Sequence, residues 1–234
     1  MHGSLKRSLF GLFILTFLGT DLAQAQSTPD AVAESMSLSA EANLQSGDIQ
    51  KAVAIYEEIV SKFKTFPGIW TVRYNLGFAY YISESYDKAI KFFKEIEAQK
   101  NIDPLLNEQA TLILGSVYSA QADTKKDAER NRLLTESIQL YDRFLKDHPT
   151  SKLMGEALYS KGGVFFQMGK LTEAEKTLLE FFDHGSQSPI HAEATYLLAI
   201  IYGAQAKQLK AEAKGIEATS RLEEAKKRLD AISR

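Results

Sequence analysis

Ala40, Gly77, Gly115, Gly162 and Ala199 stand 37, 38, 47 and 37 residues apart, and that near-constant period narrows the folds open to this chain more than any other feature. Three residues after four of them comes an aromatic, namely Tyr80, Tyr118, Phe165 and Tyr202, with Asn43 the exception. A second series follows downstream, small and then bulky four residues on: Ala52 with Tyr56, Ala89 with Phe93, Ser137 with Tyr141, Ala174 with Leu178, Ala225 with Leu229. The chain's five prolines, Pro29, Pro67, Pro104, Pro149 and Pro189, each fall 10 to 13 residues ahead of a small residue. Proline suits the first turn of a helix and is excluded from its interior. The period therefore marks repeats that each open near a proline.

Each repeat reads as two antiparallel helices joined by a short turn. Gly47-Asp48 and Met168-Gly169-Lys170 supply two of those turns, glycine being free to take positive φ. Long alternating β-branched runs are absent, which leaves strands without support. Glycine inside a helix costs about 1 kcal/mol against alanine, so Gly77 needs a packing reason. A small residue on each of two facing helices lets them approach closely, and Tyr80 and Phe93 then fill the space beside the crossing. The expected fold is all-α: an α-solenoid of five helical hairpins, roughly residues 30–66, 67–103, 104–148, 149–188 and 189–234, wound as a right-handed superhelix. Residues 118–137 and 202–225 lengthen the third and fifth repeats. Their Ala, Lys, Glu and Gln content predicts helix extensions rather than irregular loops.

The pattern Leu76, Gly77, Tyr80, Ala89, Phe93, and again Leu114, Gly115, Tyr118, Tyr141, Pro149, resembles the tetratricopeptide repeat family. The resemblance runs from about residue 30 to 234. Bulky Ile59, Ile96, Phe144 and Phe181 stand where the family usually has a small residue. With the segment Asp142–Ser151, this looks like the envelope subgroup that includes the outer-membrane β-barrel assembly lipoprotein and the Tol–Pal cell-division coordinator. The resemblance implies an exported scaffold that binds a protein or peptide segment.

In that family the first helices of the repeats line a concave surface, and certain of their positions face the groove. Carried onto this sequence, those positions hold Tyr74, Phe78 and Tyr81 in the second repeat, and Tyr159, Phe166 and Tyr196 in the fourth and fifth. These six are the candidate partner contacts, since tyrosine offers an apolar ring with a hydroxyl that tolerates water. The alternative for these rings is burial as core beneath adjacent helices. The family's lysine-and-asparagine clamp for a partner's terminal carboxylate is missing, because Ser37 and Glu41 occupy its positions in the first repeat.

The N-terminus carries Lys6 and Arg7, an apolar run from Leu9 to Gly19, and Ala23-Gln24-Ala25. That is the grammar of a secretory signal peptide over residues 1–25, with cleavage expected after Ala25 and a periplasmic destination in a bacterium. Asp21 ends the apolar run short of the roughly 20 residues that span a bilayer, so no stable membrane insertion is expected afterwards. The chain has no cysteine, which removes both disulfides and a lipid-modified N-terminus. Its net charge of −2 with mixed signs gives no electrostatic case for nucleic acid. An enzyme needs converging titratable groups. Only His184, His191 and Glu193 prompt a metal-dependent hydrolase reading, and their spacing is not the i, i+4 arrangement zinc sites often use. Neither a catalytic residue nor a metal or other cofactor is expected. A self-associating structural subunit built on the longer hairpins is the third reading.

Overall fold

The computed structural model describes residues 28–184, 189–212 and 214–232. Among them are ten helices and no strand: α1 (Pro29–Ser46), α2 (Ile49–Lys62), α3 (Ile69–Ile82), α4 (Tyr86–Glu97), α5 (Pro104–Ala122), α6 (Asp127–Asp147), α7 (Met154–Gln167), α8 (Leu171–His184), α9 (His191–Ala211) and α10 (Gly215–Ile232). The all-α repeat expectation is met. The segment read as a signal peptide lies outside the described residues.

Helix ends follow local chemistry. Thr28 caps α1, its side chain accepting from the Ala31 N–H at 3.2 Å, with Pro29 in the first turn where its missing N–H costs nothing. Gly47 (φ 87°) closes α1, and the Asp48 N–H donates to the Asn43 carbonyl at 2.8 Å. Gly169 (φ 71°) closes α7 the same way, with the Lys170 N–H donating to the Phe165 carbonyl at 2.9 Å. The sequence marks both turns. It does not mark the equivalent turn after α3, where Glu84 takes φ 62° and the Ser85 N–H donates to the Tyr80 carbonyl at 2.8 Å. A non-glycine residue there carries a backbone cost of about 1 kcal/mol. Pro29 and Pro104 lie in first turns, while Pro67, Pro149 and Pro189 sit in the connections just before α3, α7 and α9. None interrupts a helix.

The crossings explain the periodic small residues. A Cβ on Gly77 would stand 3.2 Å from both Phe92 Cβ and the tip of the Phe93 ring, so α3 and α4 touch at this point. A Cβ on Gly162 would stand 2.9 Å from Leu178 Cγ on α8. Ala40, Ala52, Ala89 and Ala174 are fully buried. The bulky residues singled out on the second helices, Ile59, Ile96, Phe144 and Phe181, are buried too, filling the core instead of shaping a crossing.

The described residues divide into two compact units, one up to Gln121 and one from Ala122 onward. In the first, α1 packs on α2 and α3 on α4, with α2 against α3. Thr111 and Gln121 of α5 bond to Glu97 (3.1 Å) and Asp87 (2.7 Å) of α4 and its first turn. In the second, α7 packs on α8 and α9 on α10, with α6 against α7 and α8 against α9. Its core gathers Leu158, Leu178, Phe181, Leu197, Leu198 and Tyr202. The third and fifth repeats are lengthened in their helices, as their composition predicts. α5, α6 and α9 run 19, 21 and 21 residues, against 14 and 12 for α3 and α4.

The terminal helix buries only part of its apolar stripe. Leu222, Ala225, Leu229 and Ile232 form one apolar stripe in sequence, but Leu222 and Leu229 are 42% and 43% exposed. Ala225, of the same stripe, is buried, as is Ala218. Two arginines share the packing side with these alanines. Arg221 pairs with Glu175 at 2.7 Å and lies over the Tyr202 ring, and Arg228 lies over the Phe182 ring. Their stems and cation–π contacts take the packing side.

Candidate interaction surface

The six aromatics divide between the units. In unit one Tyr74 is fully buried, and Phe78 and Tyr81 are nearly so. Tyr74 meets Phe93 edge-on with ring centroids 5.6 Å apart, while Tyr81 touches both Phe78 (6.3 Å) and Tyr86 (6.4 Å). Ten of the fourteen residues of α3 are buried. The Tyr74 hydroxyl is enclosed without a hydrogen-bond partner, and burial pushes its pKa far above the ordinary phenol value. These three rings serve as core in this conformation.

Unit two exposes its aromatics more. Tyr196 on α9 is 54% exposed. Tyr159 and Phe166, seven residues apart and so on one face of α7, are half-buried against the core. The Tyr159 hydroxyl is pushed up to about 12, chiefly by burial and then by the charge of Glu193. Glu193 lies one turn before Tyr196 on α9. On α7, three residues before Tyr159, Glu156 has an enclosed Oε2 without a hydrogen-bond partner, and burial raises its pKa. Two carboxylates therefore accompany this aromatic face, a feature that position-by-position transfer from the family does not select. The signal for it is present in sequence, since Glu156 and Tyr159, like Glu193 and Tyr196, stand three apart on one helix face.

Among the described residues, nothing in the geometry supports a metal-dependent hydrolase. His191 lies edge-on against Phe182, centroids 5.1 Å apart, and His184 is exposed at the end of α8. Among the described residues no three His, Cys, Asp or Glu side chains come together as a metal site. Residues 185–188, between the two histidines, lie outside the described part. His148 closes α6, its N–H donating to the Phe144 carbonyl at 2.9 Å and its ring against Phe144. No described helix is long and apolar enough to cross a membrane.

The tetratricopeptide repeat family model matches residues 38–104 and 126–181, just over half of the chain. The chain belongs to the tetratricopeptide repeat family. No curated protein matches its sequence. Solved structures share the fold. An array of nearly identical TPR-like repeats from a Podosopora anserina protein assigned as a kinesin light chain has a TM-score of 0.62 at 17% identity, covering 89% of this chain and 99% of that one. A MamA structure gives 0.56 at 17% identity, covering 83% of this chain and 96% of that one. MamA from Desulfovibrio magneticus RS-1 gives 0.59 at 12% identity, covering 87% and 97%. At such identities the likeness is one of fold. Tetratricopeptide repeats commonly bind proteins or peptides, and the fold is typically a non-enzymatic scaffold.

Proposed function

We propose that this tetratricopeptide repeat protein is an exported scaffold of the bacterial envelope that holds a protein partner through the aromatic face of α7 and α9. The observation that carries the reading is the exposed Tyr196 ring, with Tyr159 and Phe166 on the neighbouring first helix. A half-exposed tyrosine on a repeat face gains more from burial by a partner than a ring already inside the core. Glu156 and Glu193 beside it favour a partner segment with basic residues. Export rests on the N-terminal sequence grammar, and the envelope assignment on the resemblance in the second helices.

Two measurements test this. A photoreactive amino acid at Tyr196 should give one dominant adduct in intact cells, and the same probe at exposed Lys176 on α8 should give none. Equal capture at both positions would move the partner off this face. Sequencing the N-terminus of protein from a periplasmic fraction should find Gln26 first. Intact Met1 in the cytosol would end the export claim.

A further inference from the structure

We propose that the cleft between α1 and α3 is a binding site for a primary ammonium, the end of a lysine side chain on a partner segment. It belongs wholly to unit one and is independent of the α7–α9 face. The cleft has room for about one water-sized group, ≈ 10 Å³, and is lined by Glu34, Ser37, Leu38 and Glu41 of α1, Phe66 of the α2–α3 connection, and Thr71 and Asn75 of α3. Pockets that enclose whole small molecules run to roughly 300–1,000 Å³, so a space of this size admits only the head group of one side chain, its stem lying outside.

The polar groups agree on the sign of the ligand. Glu41 Oε1 is enclosed and accepts no hydrogen bond from the protein, so this oxygen has lost water without gaining a donor. Behind it the Tyr56 hydroxyl is fully buried and equally unpartnered. Burial raises the Tyr56 pKa first, and the Glu41 charge raises it further, so Glu41's field is felt inside the core. The Asn75 amide, only 7% exposed, lines the cleft and reaches towards that hydroxyl without closing a hydrogen bond of good geometry. An ammonium brings three donors and no acceptor. It can satisfy Glu41 and the acceptors of Ser37 and Asn75 together, with Glu34 adding charge. An anion would meet two carboxylates instead. The half-exposed Leu38 and the buried Phe66 ring offer walls for a methylene stem. A planar guanidinium, which gains most from a two-pronged carboxylate contact, is a poorer fit to so narrow a space.

The test is a titration of the isotope-labelled protein, followed by NMR, with the end-blocked pentapeptide Gly-Ala-Lys-Ala-Gly. Saturable shifts are expected at the Asn75 side-chain amide and along α1 and α3. Glu41→Gln should weaken binding about tenfold, the ordinary worth of a charge-assisted hydrogen bond, while an unchanged α1–α3 spectrum shows that the variant folds. Glu223→Gln makes the same charge change at an exposed site on α10 and should leave binding unaltered. Acetylating the lysine should abolish the shifts. The proposal is overturned if the lysine peptide gives no saturable shift at millimolar concentration. Equal binding of the acetylated or arginine peptide, or indifference to Glu41→Gln, also overturns it. If n-butylamine binds as tightly as the peptide, the occupant is a free amine and the segment-borne lysine is wrong.

Discussion

First-helix aromatics at matching repeat positions end in opposite places in the two units. On α3, Tyr74, Phe78 and Tyr81 are enclosed by one another and by Phe93 and Tyr86. Tyr159 and Phe166 on α7 are only half-buried, and Tyr196 on α9 stands more than half in solvent. α3 buries ten of its fourteen residues and α7 only four of its fourteen. The difference teaches that repeat register fixes which face a side chain points to, while the neighbouring aromatic content decides whether that face is covered. Around α3, Phe93 and Tyr86 on the second helix supply the cover. The corresponding partner of Gly162 on α8 is the smaller Leu178.

Alanine substitution should split the two regions most widely. Tyr74→Ala removes a fully buried ring and should cost about 3–5 kcal/mol of stability, as large aromatic truncations in cores do. Tyr196→Ala should stay within about 0.5 kcal/mol of wild type while lowering capture of the partner. Chemical denaturation followed by circular dichroism checks the first pair of values. If Tyr196→Ala were as destabilising as Tyr74→Ala, the distinction between a covered and an open face would fail.

Helical glycines sharpen the comparison at smaller amplitude. Gly162→Ala would place a methyl 2.9 Å from Leu178 Cγ. Overpacking of about 1–3 kcal/mol should outweigh the roughly 1 kcal/mol gained in helix propensity. Gly77→Ala, with contacts of 3.2 Å to Phe92 and Phe93, should be destabilising by less. Gly203 has nothing within 4 Å of its would-be Cβ, so Gly203→Ala should stabilise by about 1 kcal/mol. Should Gly162→Ala and Gly203→Ala shift the midpoint alike, close approach would not be the reason for glycine at these crossings.

Much of the fold was legible because the steric demand at a crossing recurs, at Gly77 and again at Gly162. Gly77 against Phe93 and Gly162 against Leu178 need only each other to make sense. The turns at Gly47 and Gly169 were readable since glycine advertises positive φ, whereas Glu84 holds the same geometry without that signature. The exposure of Leu222 and Leu229 on α10 was not readable, because Arg221 and Arg228 take the inner side through Tyr202 and Phe182, residues far away in sequence. Nor could spacing tell the enclosed Tyr74 from the open Tyr196. The family resemblance assigns both to groove positions, and exposure is set by long-range packing. The unpartnered carboxyls of Glu41 and Glu156 were hidden for the same reason, since sequence alone does not show where a glutamate loses its water.

Those two carboxyls offer the smallest and most diagnostic contrast between the regions. Burial raises the pKa of Glu156 and, less deeply enclosed, of Glu41 above the ordinary glutamate value of 4.5. A raised folded-state value means that the folded protein holds the proton more tightly than the unfolded chain. The resulting stability is present below pH 4.5 and is lost as pH climbs through the raised value. Above that window each ionised carboxylate is a standing penalty. Glu156→Gln and Glu41→Gln should therefore gain stability relative to wild type as pH rises from 4 to 7, and show little difference at pH 4, the larger gain belonging to Glu156. Thermal melts across that range read the slope directly. A gain that is the same at every pH would mean that the glutamine simply packs better. A gain that shrinks as pH rises would mean that these carboxylates are stabilised by charge, leaving neither one free to await a cation.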